Sequence, residues 1–285
     1  MKQSENLTQS AFSPRGGVKA LCRADFNPLT TRKTIYGLDF TQIGKKCAFT
    51  LAEVLITLGI IGVVAAMTIP QLINDYKANT LRAQYLKAVS TFEQAQRWMA
   101  ADNVLQDPLS YSSTQEWRQA FGAYLKGAVD CGARNGATSS PSKVEGCYNA
   151  RMDNRVEFGR VPYRNMYGDA TETNTFESGQ FLLPGGMLFL FRLPNKQMSA
   201  WHPLLTTIDV NGYGAPPNRL GHDLFSFQWD KNSQKWLPLG APGTWYTDMD
   251  RFCSESSTDW QNGMGCAMKA STDPDYFKWV VRTFK

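Results

Sequence analysis

Histidine and the motifs of enzyme active sites are scarce in this sequence of 285 residues. His202 and His222 are its two histidines, and neither lies in a metal-binding or nucleophile motif. The G-x-S-x-G, H-E-x-x-H, P-loop and dinucleotide-binding patterns are all missing. The sequence therefore predicts a protein that is not an enzyme and that requires no cofactor.

An excess of positive charge is also missing from most of the chain. Residues 1–48 hold eight of the 30 basic and three of the 25 acidic residues, which leaves 22 of each sign beyond Ala48. A nucleic-acid surface needs a basic patch, so nucleic acid is not expected as a direct ligand. The hydrophobic content of 42% is sufficient for a folded core and excludes wholesale disorder.

One long uncharged run near the N-terminal end is the main feature that the sequence does contain. Residues 54–73 carry no charge, which is about the length that crosses a bilayer core as a helix. A core helix of a soluble protein is the alternative, but such helices are seldom apolar on every face. Lys45 and Lys46 precede the run, so the positive-inside rule places residues 1–48 in the cytoplasm and the chain after about Asn74 outside.

A Phe, a Glu and a Pro fall at particular offsets around this run. Residues 45–53 read Lys-Lys-Cys-Ala-Phe-Thr-Leu-Ala-Glu, and Pro70 lies inside the apolar stretch. This pattern resembles the class III signal of type IV prepilins and type II secretion pseudopilins. In that family a membrane peptidase cuts before a Phe and the new N-terminus is methylated. The resemblance implies cleavage between Ala48 and Phe49, with Ala48 in place of the usual glycine, and methylation of Phe49.

The resemblance also implies roles for two residues of the apolar helix. Glu53 would take up the fifth mature position, and a carboxylate there costs roughly 2.5–3.5 kcal/mol in lipid unless it is compensated. Its expected counter-charge is the α-amino group of Phe49, in its own or the next subunit, so that Glu53 registers an incoming subunit. Simple snorkelling to the headgroups is the alternative. Pro70 is expected to kink or locally melt the helix, which would let packed helices extend.

These features together imply a structural subunit of a type IV pilus-like or type II secretion pseudopilus filament. The expected location is the cytoplasmic membrane, crossed once with the C-terminal domain exported, and afterwards a cell-surface or periplasmic filament. The expected partners are copies of itself, other pilins or pseudopilins, the prepilin peptidase and methyltransferase, the inner-membrane assembly machinery, and the lipid bilayer before assembly. The alternatives are a minor tip or adhesin pilin whose C-terminal domain binds a ligand, and a signal-anchored exported protein that is not cleaved.

The expected fold is α+β and pilin-like, with one long N-terminal helix packed on an antiparallel sheet. After the leader 1–48, residues 49–74 form the transmembrane assembly helix, and residues 75–285 form the exported globular domain. Apolar residues continue at helical spacing as far as about 103, so residues 75–103 form an amphipathic second half. A second short helix is expected within 111–126. The apolar positions expected to face the domain are Leu72, Tyr76, Leu81, Tyr85, Val89, Phe92 and Met99.

The rest of the exported domain is expected to be a loop, a sheet and a disulfide-bounded end. Residues 127–175 are rich in Gly, Ser, Asn and Arg and indicate a connecting loop. Alternating patterns and turn residues between 180 and 240 predict an antiparallel sheet of about four strands. The C-terminal region is 245–285. The strand signals lie at 181–183, 187–192, 205–210, 224–230 and 235–239.

Four cysteines lie in the exported part, where an oxidising environment favours disulfides. Three connectivities are possible, and the local one, Cys131–Cys147 with Cys253–Cys266, is favoured. Each of these bridges would close a loop of about 15 residues and contribute roughly 3 kcal/mol in the chain-entropy model. A zinc site is the rival interpretation, but no Cys-x-x-Cys spacing occurs.

A turn-rich stretch offers one candidate metal site. Asp209, Asn211, Asn218 and Asp223 place oxygen side chains around a glycine- and proline-containing loop, a donor set that suits Ca²⁺. The spacing is not that of an EF-hand. Some pseudopilins carry a calcium loop near the sheet, so the resemblance strengthens the prediction. The alternative is an Asx-turn network that holds the loop without a metal.

Overall fold

The computed structural model describes most of the chain that follows residue 48. Residues 1–48, predicted to be a leader and including Ala48, lie outside the described residues, as does much of the 127–175 segment. The chain divides into two compact units, one ending at Ala65 and the other Ala66–Lys285. The described residues are 49–132, 144–148, 163–171, 176, 178–194 and 202–284.

Helix α1 extends over Leu51–Ala101, within two residues of the expected bounds at each end. Residues 49–64, in the first unit, are all exposed, although most of them are apolar. By length and composition α1 is able to cross a membrane, and it is the one such helix in the part of the chain that is described. Asn103 takes a left-handed conformation with φ of 56° just beyond the last helical residue, as is common at helix C-termini.

Pro70 lies inside α1, and the helix continues through it without a break. The local melting expected at this position is therefore not seen in the single chain. Proline removes one donor from the ladder, and the neighbouring turns keep their own hydrogen bonds. Softening of this segment within a filament stays a prediction.

The second half of α1 packs on the domain along one stripe of residues spaced by three or four. Leu81, Tyr85, Phe92 and Met99 are all buried, as expected, and small alanines lie between them. Leu72 and Tyr76 were expected on the same stripe but are 70% and 71% exposed, so the packed part begins at Ala78. The stripe therefore starts about two turns later than the apolar pattern indicates.

One antiparallel sheet of six strands forms the centre of the second unit, in the order β1-β2-β3-β4-β5-β6. The expectation of about four strands was too low: each of the five strand signals corresponds to a strand, and the sixth strand, β1, arises within the segment assigned to a connecting loop. Each strand pairs with its sequence neighbours, which makes the sheet a meander. The strands are β1 Val129–Gly132, β2 Gln180–Leu182, β3 Leu188–Arg192, β4 Leu205–Asp209, β5 Leu224–Asp230 and β6 Lys235–Pro238.

Both faces of this sheet carry a hydrophobic core. In β3 the side chains alternate, so that Phe189 and Phe191 join the cluster beneath α1 while Leu188 and Leu190 join a second cluster on the other face. A strand buried on both faces reads as a continuous apolar run instead of an alternating one. The architecture is the expected α+β arrangement of a long helix packed with an antiparallel sheet.

Several short helices accompany α1: one, between α1 and the sheet, was expected, and those of the C-terminal region were not. Helix α2, at Thr114–Gly122, was expected, and Ser113 caps its N-terminus. The unexpected helices are α3 Met249–Phe252, α4 Cys266–Thr272 and α5 Tyr276–Thr283. Tyr85 on α1 joins this region, since its hydroxyl donates to the Ala267 carbonyl at 3.1 Å and lies 2.6 Å from Ser271 Oγ.

Candidate functional site

Two disulfides lie in the described part of the chain, with the local pairing that the sequence analysis favoured. Cys131–Cys147 joins the end of β1 to the segment that follows it, with sulfurs 1.94 Å apart. Cys253–Cys266 joins α3 to the start of α4, and both of its cysteines lie in the core beneath α1. Paired cysteines do not bind zinc, so the rival zinc interpretation is excluded for these four residues.

The four residues predicted to hold calcium come together where β4 ends and β5 begins. Antiparallel pairing sets Asp209 opposite Leu224, and the backbone N–H of Val210 donates to the Asp223 carbonyl at 2.9 Å. The intervening loop folds back through Gly212, whose φ is 86° and whose missing Cβ leaves room for Gly186 O. The sheet register therefore brings Asp209 and Asp223 to one place.

Internal hydrogen bonds hold both carboxylates. Asp209 accepts from the Gly212 N–H at 2.7 Å through Oδ1 and from the Tyr163 hydroxyl at 2.9 Å through Oδ2. Asp223 accepts from the backbone N–H of Arg219 at 2.6 Å and of Asn218 at 2.9 Å. These are the bonds that an Asx-turn network makes without a metal.

Burial raises the pKa of both carboxyl groups, and the negative charge of Asp223 raises the pKa of Asp209 further. The pKa of Asp223 rises to about 6 because of burial, against the hydrogen bonds it accepts. The pKa of Asp209 rises well above its usual value because of burial first and Asp223 second. Among the described residues neither carboxylate forms a salt bridge, although Arg219 interacts with Asp223 electrostatically.

The donor set fits a hard cation in part. Asn211 donates from Nδ2 to the Ala215 carbonyl at 3.0 Å and to Asp223 Oδ2 at 3.3 Å. Its Oδ1 is buried and has no hydrogen-bond partner among the described residues. A buried acceptor without a donor and two carboxylates without a salt bridge are what a bound cation would satisfy. No group of three or more His, Cys, Asp or Glu side chains lies together in the described ranges, so any such site would depend on amide and carbonyl oxygens.

At the N-terminal end, Thr50 and Glu53 cap helix α1 reciprocally. The Glu53 N–H donates to Thr50 Oγ1 at 3.2 Å, and the Thr50 N–H donates to Glu53 Oε2 at 3.0 Å. The Thr50 hydroxyl donates to the same Oε2, also at 3.0 Å. This is the capping-box arrangement, in which two N–H groups that the helix leaves free are satisfied by side chains. Glu53 is thus held at the helix start by its own chain.

Comparison with known protein families decides what this end of the chain is. Residues 43–69 match the family model for the prokaryotic N-terminal methylation motif. The chain carries a pilin-type signal. The motif includes Phe49, Thr50 and Glu53, so the capping box lies inside the matched segment. No curated protein and no solved structure gives a significant match to the chain.

The pilin-type signal and the apolar helix together fit a membrane-anchored, exported pilin-like or pseudopilin-like protein. Processing by a prepilin peptidase follows from the motif. Of the residues named for processing and assembly, Phe49, Glu53 and Pro70 lie in the described part, on or just before α1, and Ala48 lies outside it.

Sequence reasoning missed two functional neighbours. The sequence does contain a signal for the capping role of Thr50, because the pattern Thr-x-x-Glu lies just before an apolar run. Tyr163 has none, because its bond to Asp209 joins residues 46 positions apart. A single sequence offers no pattern for such a long-range contact.

Proposed function

We propose that the mature chain is a filament subunit, cut between Ala48 and Phe49, methylated on Phe49 and assembled through the first half of α1. The methylation motif at residues 43–69 is the observation that carries this proposal. A type IV pilus-like and a type II secretion pseudopilus filament both use such subunits. Enzymatic activity is not part of the proposed role.

The exposed apolar surface of α1 supports assembly through this helix. Leu55, Ile60 and Ile61 are 60%, 61% and 62% exposed in the single chain. Covering an apolar side chain of this kind gains about 1.5–3 kcal/mol, so the helix needs lipid or other helices around it. No atom of the described residues lies within 4 Å of a Cβ built on Gly59 or Gly62, which leaves room for a second helix to approach closely.

Glu53 supplies the proposed registration between subunits. Thr50 holds its carboxylate at the start of α1, one turn from Phe49, where cleavage would create an α-amino group. An approaching subunit brings a second α-amino group to the same level. Because opposite charges attract strongly where the dielectric constant is low, a subunit docked in register gains an ion pair that a shifted subunit lacks.

Mass analysis of the N-terminus tests the proposal directly. We expect the protein from membrane and sheared-filament fractions to begin at a methylated Phe49. A strain without the prepilin peptidase is the control, and it should accumulate the full-length form. An intact 1–48 segment in a peptidase-positive strain would contradict processing and leave a signal-anchored exported protein instead.

A minor tip or adhesin subunit is the second candidate. Trp245 and Trp260 are 45% and 48% exposed in the C-terminal region, and exposed tryptophans are common in ligand-binding surfaces. Both candidates share processing and assembly and differ in abundance. A major subunit dominates the sheared-filament fraction, whereas a minor subunit is present in much smaller amounts than the major pilin. Quantitative peptide counting distinguishes the two cases.

We also propose that Ca²⁺ binds at Asp209, Asn211, Asn218 and Asp223. The partly open donor set around the two buried carboxylates supports this, and the ion would neutralise their charge. The role is structural, because the ion would fix the loop between β4 and β5. The proposal is independent of filament assembly.

A further inference from the structure

Two arginine side chains of the second unit converge on the turn at Gly168. The backbones of Arg164 and Arg219 are neighbours, because the two residues form a parallel β-bridge. Arg164 donates from Nη1 to the Gly168 carbonyl. Arg219 Nη2 lies 3.6 Å from the position that a Cβ on Gly168 would take. Both guanidinium groups therefore lie beside the same glycine, and neither has a role in the proposed assembly of the filament.

The turn that carries Gly168 is held by a buried asparagine. Asn165 is 0% exposed, and its Oδ1 accepts from the N–H of Gly168 at 2.8 Å and from that of Asp169 at 2.9 Å. Gly168 has a φ of 117°, which residues with a Cβ rarely adopt. The carbonyl that accepts from Arg164 thus has a fixed position, so this guanidinium is oriented before any ligand binds.

The charges of the two arginines are not neutralised within the described ranges. Neither guanidinium forms a salt bridge there, and Arg219 Nε is buried with no hydrogen-bond partner in the same ranges. Asp223 attracts Arg219 electrostatically, but its carboxylate is held by backbone N–H groups. Burial lowers the pKa of Arg219, and the positive charge of Arg164 lowers it as well. Two like charges in a half-buried place repel each other unless an anion lies beside them.

The chemistry of the two side chains identifies the kind of anion. A guanidinium group presents N–H donors in a planar fork that matches the oxygens of a phosphate or a carboxylate. Two such groups balance two negative charges. A terminal phosphate carries a charge of about −1.5 to −2 near pH 7 and has three acceptor oxygens, whereas a carboxylate has one charge and two oxygens. A phosphate group therefore fits this pair better than a carboxylate does.

We propose that Arg164 and Arg219 together bind a dianionic phosphate group beside Gly168. Arg164 keeps its hydrogen bond to the Gly168 carbonyl and donates to the ligand from its other nitrogens, while Arg219 donates from its terminal nitrogens. Bound phosphate would join the turn that follows Arg164 to the segment around Arg219. A free phosphate ion and the terminal phosphate of a larger molecule offer the same chemistry. The site is separate from the filament role and needs neither cleavage nor assembly.

Isothermal titration calorimetry of the full chain in a neutral detergent tests this. The titrants are inorganic phosphate, glycerol 3-phosphate and acetate at one ionic strength, with EGTA present so that no calcium is bound. We expect one phosphate per chain and binding of acetate that is weaker by at least about tenfold, the effect of losing one charge-assisted hydrogen bond. Tighter binding of glycerol 3-phosphate would identify a phosphate ester as the ligand, and tighter binding of inorganic phosphate would identify the free ion.

Substitution of each arginine locates the site. Arg164→Gln and Arg219→Gln should each weaken phosphate binding by at least about tenfold, because each removes charge-assisted hydrogen bonds. Arg219→Lys keeps the charge without the planar fork and should have an intermediate affinity. Arg82→Gln is the matched control, since Arg82 is exposed on α1 and forms no salt bridge with a described residue. No saturable binding of phosphate, or equal weakening in Arg82→Gln, would overturn the proposal.

A purely structural role for the pair is the rival interpretation. Under the proposal, phosphate raises the melting temperature of the parent protein and of Arg82→Gln above its value in chloride, but not that of Arg164→Gln. If the arginines only stabilise the fold, Arg164→Gln lowers the melting temperature by the same amount in chloride and in phosphate. That result would overturn the proposal.

The outcome is separable from that of the proposed function. N-terminal mass analysis reports processing in cells, whereas phosphate binding is measured on the purified chain. A chain that begins at methylated Phe49 but shows no saturable phosphate binding refutes the phosphate site alone. A chain that keeps its leader but binds phosphate through the two arginines refutes the filament role alone.

Discussion

The ring of Phe92, on α1, lies 5.6 Å from the ring of Trp236, on β6, and the two meet edge to face. Phe92 also contacts Phe121, Phe189 and Phe227, with ring centroids 5.6–5.8 Å away, and is 1% exposed. One side chain of the helix thus joins three strands and α2. Aromatic pairs of this geometry contribute about 0.5–1.5 kcal/mol beyond their buried area.

Phe92→Ala is expected to lower the free energy of unfolding of the second unit by about 3–5 kcal/mol, because it removes a buried ring and leaves a cavity. Thermal or chemical unfolding of the purified protein measures this. Leu86→Ala is the matched control, since Leu86 lies on the same helix but is 55% exposed. Its expected cost is within about 0.5 kcal/mol. Equal costs for the two variants would contradict the packing described for α1.

Elements that depend on local patterns could be predicted from the sequence. The extent of α1 follows from the uncharged run and from the apolar residues at helical spacing after it, and the β5–β6 hairpin follows from its turn residues. Strand β1 was missed because it has four residues and its partner β2 follows far later in the chain. Helix α5 has apolar Phe277 and Val280 on one face, so its helical period was present and was not recognised.

The candidate sites show the same distinction between local patterns, which could be predicted, and long-range contacts, which could not. The processing signal and Glu53 are contiguous in sequence, so their residue types and offsets are sufficient to recognise them. The environment of Asp209 depends on sheet register and on Tyr163, and neither is visible in a single sequence. That Asn211 Oδ1 has no hydrogen-bond partner in the described part of the chain is likewise a property of the folded loop.

The capping and registration roles of Glu53 are separable by mutation. Glu53→Gln keeps an acceptor for the Thr50 N–H but removes the charge, so we expect normal membrane insertion and filament yield reduced by at least about tenfold, the effect of 1.4 kcal/mol per docked subunit. Thr50→Ala keeps the charge and removes the cap, at a cost of about 0.5–2 kcal/mol in helix stability. Its filament yield should remain nearer to that of the parent protein.

Sheared-filament yield, normalised to the amount of protein in the membrane, measures both effects. Processing at Phe49 should be checked in each variant, because an uncleaved chain cannot report on registration. If Thr50→Ala loses filaments and Glu53→Gln keeps them, the carboxylate acts as a helix cap and the charge-based registration is wrong.

The C-terminal disulfide is expected to stabilise the exported domain substantially. Cys253→Ala with Cys266→Ala opens a loop with a sequence separation of 13, and the chain-entropy model gives a loss of roughly 3 kcal/mol for a loop of this size. Both cysteines are buried, so packing losses add to this value. Removal of Cys131–Cys147, with a separation of 16, has nearly the same entropic cost. Urea unfolding of the two double variants measures both, and an unchanged midpoint for the first would contradict the prediction.

The carboxylate pair at the β4–β5 loop makes stability depend on pH when no cation is bound. The pKa of Asp223 is about 6 in the folded protein, above the usual value of 3.8, so the folded state holds a proton that the unfolded state releases. The stability that this proton contributes is complete below pH 4 and is lost as the pH rises through about 6. Asp209 acts in the same direction, since its pKa is also raised.

Melting curves in EGTA and in excess Ca²⁺, from pH 4 to pH 7, measure this effect. We expect the two melting temperatures to agree near pH 4 and to diverge above pH 6, where the ion neutralises the carboxylates. Asp223→Asn should remove most of the divergence. Asp230→Asn, at the other end of β5, is the control and should retain it. Other carboxyl groups change the two melting curves equally, so the difference between the curves reports on this site alone. Curves that superimpose at every pH would show that hydrogen bonds alone hold the loop.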